Sequence, residues 1–138
     1  MKGPAAILVS AVLLLLAACS QPVKVEYRGQ VVTVSRDMPD EGISDTLRFG
    51  TLHSGEIAVK RISLHNDTDE PIVILSYETT CSCASFDYDR RPVMPGEYGT
   101  IECTFDSRGT TGWQMKPVKF YISGTAAPVR ILIEADVE

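Results

Sequence analysis

Residues 100–106, Thr-Ile-Glu-Cys-Thr-Phe-Asp, are the stretch that decides the fold. Apolar and polar residues alternate along it with a period of two, which is the pattern of a β-strand with one buried face. The pattern predicts that Ile101, Cys103 and Phe105 point into a core and that the residues between them point outward.

Other β-rich runs lie on both sides of this strand, and no apolar stripe of helical period is present after residue 19. Turns recur at intervals near the ten residues typical of immunoglobulin-like domains. The spacing predicts an all-β fold, an immunoglobulin-like antiparallel β-sandwich. We expect strands at residues 23–34 with a break at 29–30, 47–49 stopped by Gly50, 57–66, 72–75 buried on both faces, 85–89 at an edge, 117–123 and 129–137, with a turn at 94–97.

The N-terminal residues indicate where the protein resides. A single early cation, Lys2, precedes an apolar run over residues 5–18, which is the layout of a secretory signal peptide. The run is shorter than the roughly 20 apolar residues that span a bilayer. It closes with Leu16-Ala17-Ala18-Cys19, which resembles the bacterial lipobox, whose cysteine thiol receives a diacylglycerol and becomes the new N-terminus.

These features divide the chain into three parts. Residues 1–18 are a signal peptide, residues 19–45 are an N-terminal strand region and linker, and residues 46–138 are the domain. By resemblance to sorting rules, the serine after Cys19 favours an outer-membrane lipoprotein in the cell envelope, and the lack of an early acidic cluster favours the periplasmic face. The lipid alone then makes the membrane contact.

Charge and length limit the classes of function. Removal of residues 1–18 leaves 120 residues, enough for one domain with a true core. It also lowers the formal net charge from −5 to −6. The basic residues are scattered, whereas nucleic-acid phosphates call for clustered Lys and Arg, so we expect no nucleic-acid partner.

Several motifs together resemble one family, and they span residues 46–138. They are Phe49-Gly50, Gly55-Glu56, Asn66, Pro71-Ile72, Cys81-Ser82-Cys83, Pro95-Gly96-Glu97, Phe105-Asp106-Ser107, Gly112-Trp113 and residues 118–123. Their order is similar to that of the domain of unknown function 1573 family, an immunoglobulin-like module common in lipoproteins of anaerobic Gram-negative bacteria. The family is distantly similar to Hydin-type interaction modules. The resemblance implies a fold and a secreted setting, and it implies no activity.

Cys81-x-Cys83 is the sharpest local chemical feature. Once Cys19 is lipidated three cysteines remain, so in an oxidising compartment one disulfide and one free thiol are expected. We favour a structural role for the pair, by burial or by a disulfide that requires a local turn. Soft-metal coordination and redox exchange are the alternatives. Cys103 is most simply a small core residue, although pairing with Cys81 or Cys83 stays open.

No catalytic constellation stands out, so the chain is read as a non-enzymatic binding or scaffolding module with no cofactor and no metal site. His53 and His65 fit solvated side chains better than catalytic bases. The alternative is a periplasmic thiol or copper-handling protein using Cys81 and Cys83, with His53, His65 or Met94 as extra ligands. The single tryptophan, Trp113, is expected to close one end of the core, and a protein partner of unknown identity is expected at strand edges or loops.

Overall fold

The structure, a computed structural model, describes residues 29–138, and that part of the chain consists of strands and turns without a helix. The signal peptide, Cys19 and the first part of the strand expected at residues 23–34 lie outside the described residues. No helix within residues 29–138 has the length and apolarity to cross a membrane. The described part of the chain forms eight strands: β1 (Gln30–Ser35), β2 (Ser44–Leu52), β3 (Ile57–Asp67), β4 (Ile74–Thr79), β5 (Ala84–Tyr88), β6 (Tyr98–Asp106), β7 (Gly112–Ile122) and β8 (Val129–Val137).

The strands form two four-stranded sheets. Sheet 1 has the order β1-β3-β6-β5 and sheet 2 has the order β2-β8-β7-β4. The all-β prediction is confirmed, but the prediction of purely antiparallel sheets is wrong, because β1 pairs with β3 in parallel and β2 pairs with β8 in parallel. Parallel neighbours need a long crossover connection. The chain between β1 and β3 supplies one, since it passes through β2 in the other sheet.

One hydrophobic core is shared by the inward faces of both sheets. Ile101, Cys103 and Phe105 are buried on β6, as the alternation in residues 100–106 predicted. Aromatic pairs join the sheets: the ring centroids of Phe49 on β2 and Phe105 on β6 lie 5.6 Å apart. Val32 and Val34 of β1 also belong to this core, although β1 precedes the boundary expected at residue 46.

Strand β2 differs from its prediction at Gly50. The strand does not stop there but runs on to Leu52, with a register shift against β8 between Arg48 and Gly50. Such a bulge places an extra residue in one strand, and the positive φ of 76° at Gly50 suits a residue without a Cβ atom. Phe49 and Leu52 both reach the core because the bulge resets the alternation.

The prediction of a strand at residues 72–75 that is buried on both faces is also wrong. Ile72 makes only an isolated bridge to Val93, and β4 begins at Ile74. Leu75 falls at a register shift between Ile74 and Ser76, and 59% of its surface is exposed. A continuous apolar run can be read as a doubly buried strand, but here a bulge on an edge strand turns one of its residues outward.

The remaining strands agree more closely with the sequence. β3 and β8 lie within a residue of their expected bounds, and β5 forms an edge of sheet 1 as expected. The turn at residues 94–97 is closed by a 2.9 Å bond from the amide of Glu97 to the carbonyl of Met94. β7 begins at Gly112, five residues earlier than expected, and passes through Pro117.

Asn66 is a buried polar residue that fixes the end of β3. Its side-chain amide donates to the carbonyls of Glu70 and Val93, both at 2.8 Å. Its side-chain oxygen accepts from the amide of Thr68 at 2.9 Å and from the Thr68 hydroxyl at 2.7 Å. One side chain therefore satisfies backbone groups of the turn after β3 and of the segment before β6.

Replacement of Asn66 by alanine should lower the free energy of unfolding by about 2–3 kcal/mol, because two backbone carbonyls and one backbone amide each lose a hydrogen bond to its side chain. Chemical denaturation monitored by circular dichroism measures the loss. Asp67→Ala, an exposed neighbour on the same strand, is the matched control and should stay within about 0.5 kcal/mol of the wild type. Equal stability of Asn66→Ala and wild type would show that this network contributes nothing.

Candidate functional site

Cys81 and Cys83 lie in the loop that connects β4 in sheet 2 to β5 in sheet 1, and they form a disulfide. Their Cα atoms are 5.2 Å apart, closer than the separation of about 7 Å that two such residues have in an extended strand. The loop therefore contains the local turn that such a bond requires. The amide of Cys83 also donates to the sulfur of Cys81 at 3.0 Å.

Cys103 lies apart from this disulfide as a free thiol in the core. It sits on β6 between Lys60 of β3 and Phe86 of β5 in the strand registers. Burial raises the pKa of the Cys103 thiol to about 12, so it stays protonated at neutral pH. Since the thiolate is the nucleophile and the metal ligand, its burial makes Cys103 a poor candidate for either role.

The other residues considered as ligands are scattered. His53 is exposed in the turn after β2, and Met94 is exposed in the turn before β6. His65 is on β3 and stacks on Tyr98, with ring centroids 4.6 Å apart. Within residues 29–138 no group of three or more His, Cys, Asp or Glu residues is placed to hold a metal ion.

A surface cavity of about 470 Å³ lies at one end of the two sheets, where the loop after β1 meets the turns after β3 and β7. Its charged lining residues are Arg36, Asp40, Asp69 and Glu70. Arg36 and Asp69 form an ion pair that is well exposed to solvent. The lining contains no histidine or cysteine side chain.

Trp113 does not close the core, and that prediction is wrong. Its side chain is on the outward face of β7 and is 61% exposed. Met115, two residues further on the same face, is 40% exposed. Pro117 follows on this face and is opposite Leu132 of β8 in the register. Trp113, Met115, Pro117 and Leu132 form an apolar surface that we call the outer patch.

Among the residues that the structure describes, the first half of β7 has a strand neighbour on one side only. β8 pairs with β7 from Gly112 onward, but β4 pairs with it only from Val118, opposite Thr79, to Ile122. Residues 112–116 therefore form an open edge of sheet 2, beside the outer patch. The cause is the course of the chain: after Thr79 it leaves sheet 2 through the disulfide loop and enters β5 of sheet 1.

Two hydrogen bonds identify which backbone groups of β7 face this edge. The carbonyl of Pro117 accepts from the Thr79 hydroxyl at 3.3 Å, and the amide of Ser123 donates to the carbonyl of Val73 at 2.9 Å. Backbone groups of successive residues in a strand point to opposite sides, so the odd-numbered residues of β7 face the β4 side. The N–H and C=O groups of Trp113 and Met115 thus point out of the open edge.

The sequence carried a signal for this surface that was missed. Residues 112–117 read Gly-Trp-Gln-Met-Lys-Pro, with large apolar residues at alternate positions as in a strand. Pro117 suggested that the strand starts there, because proline cannot donate to a ladder. It is tolerated inside β7 because its missing N–H would point toward the side where β4 has already ended.

A family model described as "Protein of unknown function (DUF1573)" matches residues 41–137. Among solved structures, a protein of unknown function from Porphyromonas gingivalis W83 superposes with a TM-score of 0.59 at 18% identity, over 83% of this chain and 51% of that one. The VesB protease of Vibrio cholerae superposes with a TM-score of 0.54 at 12% identity, over 67% of this chain and 30% of that one. The chain thus spans about half or less of these proteins, and the likeness concerns the fold alone. No curated protein sequence matches this chain.

Proposed function

The chain belongs to the DUF1573 family of proteins of unknown function, and on this premise we propose that it is a non-enzymatic, lipid-anchored cell-envelope protein with an immunoglobulin-like sandwich that acts as a binding or scaffolding module. The observation that carries the proposal is the outer patch with the open edge beside it. An exposed tryptophan next to unpaired strand backbone offers a partner both apolar area and hydrogen bonds. Tryptophan is also among the residues that most often anchor protein interfaces.

The way in which the two sheets pack supports a role in binding. Their inward faces are buried in the shared core, which contains residues from all eight strands. Function is thereby left to outward faces, edges and loops. The outer patch is the part of that surface in which Trp113 and Met115, both large and apolar, lie next to each other on one strand.

Two carboxylates with shifted pKa values are unsuited to general-base catalysis. Hydrogen bonds from Arg91 lower the pKa of Asp89 to about 2, and hydrogen bonds from Arg108 lower that of Asp106 to about 2. Each carboxylate is bound by an arginine two residues further along the chain. These carboxylates therefore stay ionised and occupied, whereas a general base works best with a pKa near the operating pH.

The location follows from the N-terminal residues. The resemblance of Leu16-Ala17-Ala18-Cys19 to a lipobox supports a lipid on Cys19, and Ser20 supports an outer-membrane lipoprotein with its domain in the periplasm. Acyl chains contribute about 0.8 kcal/mol per buried methylene, so two or more of them hold the protein at the membrane. The binding module then acts on partners in the same thin compartment.

A second candidate function is the handling of thiols or Cu(I) by Cys81 and Cys83. Their position in one loop favours it, because reduction of the disulfide by a dithiol would leave two thiols close to each other. Titration of the reduced protein with Cu(I) against a chelator separates the two functions. Stoichiometric binding that is lost in Cys81→Ser, Cys83→Ser supports this second function.

Cells that express the full chain should incorporate a radiolabelled lipid precursor into it, because the lipobox cysteine is the acceptor. Cys19→Ala should abolish the incorporation and release the protein from the membrane fraction. Cys103→Ala is the matched control and should be labelled like the wild type, since that thiol is buried in the core. Equal labelling of Cys19→Ala and wild type would refute the anchor.

A photo-reactive residue at position 113 should crosslink to a protein in intact cells, because the outer patch is where a partner docks. Position 75 is the control, since Leu75 is as exposed as Trp113 but lies outside the patch. Gel shift followed by mass spectrometry identifies the product. The binding role is wrong if position 113 gives no more crosslinked protein than position 75.

A further inference from the structure

We propose that the open edge of β7, residues 112–116, binds the same segment of a second copy of this chain in an antiparallel ladder. This inference rests on the proposed binding role and names its partner. A two-fold axis passes through Gln114 and relates the two strands. Sheet 2 of one copy then continues into sheet 2 of the other.

The backbone groups at this edge are complementary to themselves. Trp113 and Met115 each present one N–H and one C=O group outward from the edge. In an antiparallel ladder, two opposite residues that both face the partner strand exchange two hydrogen bonds. With the axis at Gln114, Trp113 lies opposite the partner's Met115 and Met115 lies opposite the partner's Trp113. All four outward groups of each copy are then bonded.

Neighbouring registers leave groups unpaired. In a register with Trp113 opposite the partner's Trp113, Met115 would lie opposite the partner's Thr111, which precedes the strand. In a register with Met115 opposite the partner's Met115, Trp113 would lie opposite the partner's Pro117, which has no N–H group. The carbonyl of Pro117 is already bonded to the Thr79 hydroxyl. The register with Gln114 at the centre is therefore favoured over both.

The side chains in this register fit as well. On the outward face the indole of Trp113 lies beside the thioether of the partner's Met115, and sulfur–aromatic contacts of this kind are favourable. On the other face Gln114 lies opposite the partner's Gln114, and the two side-chain amides can hydrogen-bond to each other. Lys116 lies opposite the partner's Gly112, which has no side chain to obstruct it. No pair of like charges is placed in direct opposition.

The charges around the outer patch do not oppose the contact. Glu134, which is opposite Met115 in the register with β8, is paired with Arg48 at 3.5 Å. Asp136, opposite Trp113, lies on β8, which does not take part in the new ladder, and two strands separate it from the partner's β8. The net charge of −6 on the chain without residues 1–18 opposes association only through the long-range field, which salt screens.

The shared ladder is short, and the small area that it buries determines whether the dimer forms in solution or at a membrane. β4 closes the ladder at Val118, and the turn before Gly112 closes it at the other end. Five residues per copy bury far less than the roughly 800 Å² per partner of a stable complex. The dimer is therefore weak in dilute solution, and confinement to a membrane by the lipid raises the effective concentration that populates it.

Cysteine crosslinking of the full chain in its native membrane tests the register directly. Gln114 is a non-hydrogen-bonded position in this ladder, where opposite Cα atoms lie about 4.5 Å apart, within the range that a disulfide bridges. Gln114→Cys should form covalent dimers with a mild oxidant. Lys116→Cys is the matched control on the same strand, because position 116 of one copy lies roughly 13 Å along the ladder from position 116 of the other. We expect at least a tenfold excess of dimer for Gln114→Cys.

A second variant excludes random collision. Met115→Pro removes an N–H that faces the edge and leaves the amides of Gln114 and Lys116 bonded to β8. Combined with Gln114→Cys, it should abolish the dimer while the circular dichroism spectrum stays that of the wild type. Equal dimer yields from Gln114→Cys and Lys116→Cys would overturn the proposal. So would a Trp113 photo-crosslink to a different protein without a Gln114→Cys dimer, and that result would leave the binding role intact.

Discussion

The packing of two sheets on one apolar core is the constraint from which the rest of the molecule follows. Phe49 meets Phe105 across the sheets, and Phe86 meets Phe120 edge to face with ring centroids 5.2 Å apart. Burial of aromatic side chains gives the largest apolar area per residue, so these pairs set the distance between the layers. Every strand must then present alternate residues to this core, and its other residues are free to serve the surface.

The same constraint creates the open edge. The chain has to supply strands to both sheets, so it crosses between them repeatedly, and the crossing from β4 to β5 happens at Thr79. The disulfide of Cys81 and Cys83 lies in this crossing, and the carbonyl of Cys83 accepts from the amide of Asp106 at 2.8 Å. β4 therefore cannot extend alongside the start of β7. A structural requirement of the core thus leaves Trp113 and Met115 with unpaired backbone groups beside exposed side chains.

The elements that the sequence predicted well are those whose alternation is undisturbed. β6 and β8 place every second residue in the core, and period two is sufficient to find them. The prediction failed where one residue breaks the period. Gly50 and Leu75 lie at bulges, which depend on pairing with a distant strand and leave no local pattern. Trp113 was assigned to the core because an apolar side chain is usually buried, and its exposure depends on where β4 ends, a non-local fact.

Amide hydrogen exchange along β7 tests the central claim most directly, because it reports which backbone groups are bonded. In a dilute sample in detergent, the amides of Trp113 and Met115 should exchange within the dead time of the experiment, since they face the open edge. The amides of Gln114 and Lys116 should be protected by their bonds to β8. Protection of all four amides in a monomeric sample would contradict the account, since it would mean that another part of the chain already covers this edge.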